Sequence, residues 1–136
     1  MRIVLDTNCL LISIPKKSKY RIVFDSLLQK KFTLVISNEI LSEYEEKISE
    51  KSNALVAKNI SEMLTTLSNV EKRDVYYRWN LIQRDYDDNK FVDCAIAGNV
   101  DYLVTNDTHF SALKQIEFPT VNVISINEFI ITLQST

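Results

Sequence analysis

Glycine is nearly missing from this sequence. There is one in 136 residues, with two prolines, two cysteines and a single histidine. Loops built from so few turn-forming residues should be short. The lone glycine excludes the phosphate cradles of dinucleotide-binding and P-loop domains, which need glycine at several fixed positions. Cys9 and Cys94 have neither metal-ligand spacing nor the density of a disulfide scaffold, and they read as buried thiols of a cytoplasmic protein. No apolar run approaches the roughly 18 residues of a membrane span, so no membrane association is expected. The opening MRIVLDTN meets a carboxylate after three apolar residues, too early for a signal peptide. Positive charge is not in excess either: 16 basic residues stand against 18 acidic, a net charge of −2. That balance argues against a sequence-specific DNA binder, which neutralises phosphates with Lys and Arg. It remains compatible with phosphodiester chemistry if metal ions supply positive charge locally. The length fits a single domain, residues 1–136, with a core of its own.

Short apolar runs alternate with helical periodicity. Ile3-Val4-Leu5, Thr33 to Ile36, Tyr102-Leu103-Val104 and Val121 to Ile124 read as four strands, buried on both faces as in a parallel sheet. Between them, Tyr20, Val23, Phe24, Leu27 and Leu28 mark an amphipathic helix with Ser18 as its N-cap. Ser37 or Asn38 caps a helix burying Ile40, Leu41, Tyr44 and Ile48. A further helix carries Val56, Ile60, Met63, Leu64 and Leu67. From Val70 to Arg84 no period is clear, and Trp79-Asn80-Leu81-Ile82 reads as an edge strand or a helical turn. Asp85 to Asp88 leads into a helix with Phe91, Val92, Ala95 and Ile96 inward, stopped near Gly98-Asn99. Asn127 caps a last helix with Phe129, Ile130 and Leu133. The alternation predicts an α/β fold, a three-layer α/β/α sandwich around a mainly parallel sheet.

The acidic residues fall where such a fold would place a site. Asp6 directly follows the first strand and Asp107 lies just past the third apolar strand, both at the carboxyl edge where open parallel sheets bind ligands. Asp88 begins a helix that starts from the same rim; as a helix cap it would also suit the dipole. Asp93 lies about one and a half turns deeper. Glu43 sits at the border of its helix's apolar stripe, among the solvated Glu39, Glu45, Glu46 and Glu50. Two carboxylates about 4 Å apart repel by up to about 4 kcal/mol at an effective dielectric near 20, and a divalent cation removes that cost. Oxygen donors select hard ions such as Mg²⁺ or Mn²⁺, which can activate water and offset charge at phosphorus. His109 reads as a rim residue packing beside Phe110, with a general-base role as the alternative. Lys16, Lys17, Lys19 and Arg21 form the only basic cluster, a solvated helix start or a guide for phosphates.

Together, VLDTN at 4–8, SNEILSEY at 37–44, DYDDNKFVDCAIAG at 85–98 and YLVTNDTHF at 102–110 resemble the four acidic motifs of PIN-domain nucleases. They are most similar to the prokaryotic toxin components of toxin–antitoxin pairs, and the similarity runs on through the FP, VNVIS and NEF segments. The resemblance implies catalytic Asp6, Glu43, Asp88 and Asp107, with metal on Asp6, Asp88 and Asp107. Glu43 would orient a second ion or the attacking water. Asn8, Asp93, Thr105 and Asn106 would support the cluster. It also implies a single-stranded RNA substrate, a homodimer and a small antitoxin protein as partner. The family often has Pro where Tyr86 stands, and the third acid falls on Asp88 or Asp93.

Two other functions compete. Phosphoryl transfer to an aspartate would need a second carboxylate two residues after Asp6, where Asn8 stands, or a Lys after a late strand, where Thr105-Asn106-Asp107 stands. A catalytically silent PIN-fold interaction module would tolerate loss of acids, and all four are intact.

Overall fold

The computed structural model describes residues 1–82 and 86–135. Asp85, part of the acidic run ahead of the fifth helix, lies outside the described residues. Five strands form one sheet: β1 (Arg2–Leu5), β2 (Thr33–Ile36), β3 (Val70–Lys72), β4 (Tyr102–Val104) and β5 (Val123–Ile124). Their spatial order is β3-β2-β1-β4-β5, and every neighbouring pair is parallel. Parallel neighbours require crossovers, and helices supply them: α1 (Thr7–Ser13), α2 (Arg21–Leu28), α3 (Asn38–Lys51), α4 (Ala54–Thr66) and α5 (Asn89–Ala97), with α6 (Ile126–Gln134) closing the chain. Ile3, Val4 and Leu5 are all at most 1% exposed although successive side chains point to opposite faces. Both faces of the sheet are therefore covered, which makes the architecture three-layered. Each such apolar side chain contributes about 1.5–3 kcal/mol by leaving water. Among the described residues, no helix is long and apolar enough to cross a membrane.

Several local expectations need correction. The sheet has a fifth strand, β3, whose sequence Val70-Glu71-Lys72 carries too little apolar character to stand out; it lies at the edge, where one side needs no burial. Trp79-Asn80-Leu81-Ile82 is neither strand nor helix. Instead Asn89 holds Ile82, its side-chain amide accepting from the Ile82 N–H and donating to the Ile82 carbonyl, both at 2.8 Å. Helix α1 had no visible stripe because two of its buried residues, Thr7 and Ser13, are polar while its exposed face carries the apolar Ile12. Ser18 does not cap α2: the helix starts after Tyr20, and the Ser18 hydroxyl donates to the Ile12 carbonyl. Asn127 does not cap α6. Ser125 does, in a capping box with Glu128. Ser37 caps α3 through the Ile40 N–H.

Helix α5 contacts β1, β2 and β4, so it spans the middle of the sheet. Its stop, Gly98, has an ordinary φ of −86°. A Cβ there would lie 2.7 Å from Val35 Cγ1 and 3.2 Å from the Cys94 carbonyl oxygen, so the glycine is required by close helix-to-sheet approach. The left-handed residue is its neighbour Asn99, at φ 47°.

Candidate active site

The register of the central strands builds the first half of the site. Leu5 pairs with Val104, so Asp6 and Thr105 emerge side by side at the carboxyl edge. The Asp6 N–H continues the ladder to the Val104 carbonyl at 3.0 Å. Asp6 occupies the N-cap position of α1 but makes no side-chain cap. Its Oδ2 accepts from Thr105 Oγ1 at 2.7 Å, and Thr105 Oγ1 accepts from the Asp107 N–H at 3.0 Å. One hydroxyl thus fixes both acids. Asp6 is only 7% exposed, and burial drives its carboxyl above the usual carboxylate range. The Thr105 hydroxyl and the Thr7 N–H oppose that shift; the charges of Asp107 and Glu43 add to it.

The second half comes from α3, α5 and the turn after β4. Asp88 ends a 3₁₀ turn (Tyr86–Asp88) at the head of α5 and, like Asp6, makes no side-chain cap. Asp107 caps a second 3₁₀ segment (Thr108–Gln115), its Oδ1 accepting from the His109 N–H at 2.9 Å. His109 Nδ1 then lies 3.5 Å from Asp88 Oδ2 and 3.5 Å from Asp107 Oδ1. One donor atom from each of Asp88, Asp107 and His109 falls within 4.8 Å of the others. Glu43 is tied in from α3 by the Thr7 hydroxyl and by Lys90, whose Nζ is 2.7 Å from Oε1 with both side chains largely shielded from solvent. Tyr44, next to Glu43, is fully buried and donates its hydroxyl proton to the Leu5 carbonyl, fastening α3 to the strand end that carries Asp6.

The structure therefore brings Asp6, Glu43, Asp88 and Asp107 to one rim, with Thr105 inside the network. Asn8 is exposed and lines a cleft of about 340 Å³ with Asp6, Cys9, Ile12, Asn106 and Asp107. Asn106 works outward, its Oδ1 accepting from the Ile126 N–H at 3.1 Å and anchoring α6. Asp93 is elsewhere. Five positions along a helix turn it roughly 140° from Asp88, and it accepts from the Trp79 N–H at 3.0 Å beside Arg78 and Glu39. His109 stands on the rim, and its Nδ1 faces both Asp88 and Asp107. Lys90 and Thr7 escaped sequence reasoning as well. Each had one available signal: Thr7 adjoins Asp6, and Lys90 is the only cation within the third acidic motif. The thiols are inert by comparison, since burial pushes both Cys9 and Cys94 up to about 12.

A parallel three-layer sheet with carboxylates gathered at its carboxyl edge defines a class of α/β proteins with an acidic, cation-seeking site. Within that class the family is specific: residues 2–109 match the PIN domain, and the chain belongs to the PIN domain family. No curated protein matches it. Solved structures share the fold. VapBC2 from Rickettsia felis, bound to a DNA fragment from their promoter, is 24% identical, covering 92% of this chain and 98% of that chain with a TM-score of 0.62. VapBC-1 from nontypeable Haemophilus influenzae is 18% identical over 93% and 99% of the two chains, with a TM-score of 0.59. FitAcB from Neisseria gonorrhoeae is 19% identical over 91% and 97%, with a TM-score of 0.58.

Proposed function

We propose that the chain is a Mg²⁺- or Mn²⁺-dependent ribonuclease that hydrolyses single-stranded RNA, acting in the cytoplasm as the toxin of a toxin–antitoxin pair. The observation carrying this reading is the meeting of Asp88, Asp107 and His109 donor atoms within 4.8 Å, with Asp6 joined to Asp107 through the Thr105 hydroxyl. Carboxylate oxygens with one imidazole nitrogen fit a hard or borderline divalent ion. Asp6, Asp88 and Asp107 would hold it. When bound, such an ion lowers the pKa of water and offsets charge on a phosphodiester.

The chain's own residues do the rest. Thr105 aims the Asp6 carboxylate. Lys90 and Thr7 hold Glu43 towards the rim, where it positions an attacking water or a second ion. Asn8 offers an amide to substrate oxygens at the cleft mouth, and Asn106 secures the loop that carries Asp107. Asp93, holding Trp79, supports the site only through the placement of α5. The antitoxin partner and a homodimeric assembly rest on the motif resemblance and on the likeness to the VapBC and FitAcB chains. The test is cleavage of an end-labelled single-stranded RNA, with Mg²⁺ or Mn²⁺ against EDTA, by wild type and Asp6→Asn. Cleavage should require metal and fall more than about 100-fold in the variant, beyond the 10–100-fold typical of outer-shell changes. Equal cleavage by both proteins rejects the assignment.

A further inference from the structure

Charge is divided along the chain. Residues 1–35 hold seven basic residues against two acidic, while the remaining residues hold nine against sixteen. The near-neutral total therefore conceals a cationic N-terminal segment beside an acidic remainder. Within it, Lys16, Lys17 and Lys19 occupy the connection between α1 and α2, all three exposed. Among the described residues none of them ion-pairs with a carboxylate. Asp25, the only acid nearby in sequence, is taken by Arg21 at 2.9 Å.

The connection has a fixed backbone. The Ser18 N–H donates to the Pro15 carbonyl at 3.0 Å, the Ser18 hydroxyl to the Ile12 carbonyl, and the Arg21 guanidinium to the Ile14 carbonyl. The Lys19 ammonium rests 5.0 Å from the Tyr20 ring centroid. Flexible lysine heads thus project from a rigid turn.

Three clefts touch the acidic rim, and they differ in charge. The largest of them, about 510 Å³, runs along α3 past Glu39, Glu43, Glu46 and Asp87, with Lys47 and Lys90 as its cations among the described residues. A second, about 390 Å³, leaves Asp107 past both Lys114 and Glu128. The third, about 340 Å³, runs from Asp6 and Asp107 along α1 to Ile12. The carbonyl of Ile12 is the one held by Ser18, so this cleft opens towards the lysine turn. Helix α1 has seven residues, which at ~1.5 Å per residue places the turn about 10 Å from Asp6, the reach of a few nucleotides.

We propose that Lys16, Lys17 and Lys19 form a phosphate track that seats single-stranded RNA along α1, so that the strand leaves the acidic rim on this side and avoids the acidic cleft beside α3. This rests on the ribonuclease reading, since it supplies the path for that substrate. Polyanion binding releases counterions, so each lysine that neutralises a phosphate adds roughly 0.7 to the slope of log affinity against log salt for a single strand.

The test is fluorescence anisotropy of a 5′-fluorescein 20-nucleotide polyuridine in EDTA, across a salt series. It compares wild type with Lys16→Gln/Lys17→Gln/Lys19→Gln, the matching triple Arg variant, and Lys58→Gln, an exposed residue of α4, as a control. Loss of the three lysines should weaken binding tenfold or more at low salt and flatten the salt slope by about 2. The Arg triple should bind like wild type, and so should Lys58→Gln. A Gln triple that binds with wild-type affinity and slope overturns the track, as does a wild type that does not bind the RNA. RNA binding that depends on the lysines, from a protein that cuts nothing with Mg²⁺ or Mn²⁺, keeps the track and discards the nuclease.

Discussion

Asp6 and Asp93 are both buried aspartates with proton affinity raised mainly by desolvation, yet they sit in opposite surroundings. Asp6 faces other carboxylates, Asp107 and Glu43, and among the described residues only the Thr105 hydroxyl and a backbone N–H offer relief. Asp93 faces the Trp79 N–H and Arg78, and the opposing charge it feels comes from the single Glu39. Burial and a raised pKa are thus common to both, and neither distinguishes a reactive acid from a structural one. The neighbours do. An acid surrounded by acids retains an affinity for an external cation, whereas one satisfied by a backbone donor and a guanidinium is a clamp.

The contrast makes opposite demands on substitution. Asp6→Asn should abolish most RNA cleavage while leaving the fold intact. Asp93→Ala should do the reverse, leaving the Trp79 N–H without its acceptor. That costs about 1–3 kcal/mol in a urea melt, with the rate per folded molecule close to wild type; a rate loss matching that of Asp6→Asn would erase the distinction. Lys90→Met comes next. It removes the partly shielded partner of Glu43 and adds to the charge crowding around Asp6. Stability without metal should fall by about 1 kcal/mol, discounted from the value of a fully buried pair for remaining solvent access. Addition of Mn²⁺ should raise the melting temperature of the variant more than that of wild type.

The smallest effect is in pH. Because the Asp93 pKa is raised on folding, the folded state holds that proton more tightly than the unfolded chain does. The associated stability is fullest below the ordinary carboxylate value of 3.8 and is lost as pH rises through the elevated folded value. Asp93→Asn keeps an acceptor for Trp79 but cannot ionise. The stability difference between the variant and wild type should therefore widen in the variant's favour as pH is raised from about 3.5 to 6. A difference that is flat across that range refutes the desolvated state of Asp93.

Much of the frame was readable because it is local. Three-residue apolar runs such as Ile3-Val4-Leu5 admit few structures other than buried strands, and Asp6 and Asp107 follow strands directly. What escaped was governed by something other than period. The edge strand β3 is mostly polar, α1 buries the polar Thr7 and Ser13, α2 starts after Tyr20 without a side-chain cap, and the cap of α6 depended on which of two neighbouring polar side chains reached a free N–H. In the site, Glu43 was legible through a motif alone, since five glutamates share its helix. Its partners Lys90 and Thr7 lie 47 and 36 residues away in sequence, and no periodicity links such distances.

By itself the sequence determined an α/β order of elements, a carboxylate after each of two central strands, and a chain too poor in glycine for a nucleotide cradle. Those features depend on side-chain polarity at a period of 2 or 3.6, which the chain carries locally. Only the tertiary structure decided which acids share a site. The β1–β4 register placed Thr105 between Asp6 and Asp107, and the rotation of α5 turned Asp88 to the rim and Asp93 to Trp79. The turn after β4 brought His109 between two carboxylates. Register and helix rotation are fixed by packing across the whole core, so the charge balance of each aspartate exists only once the layers have closed.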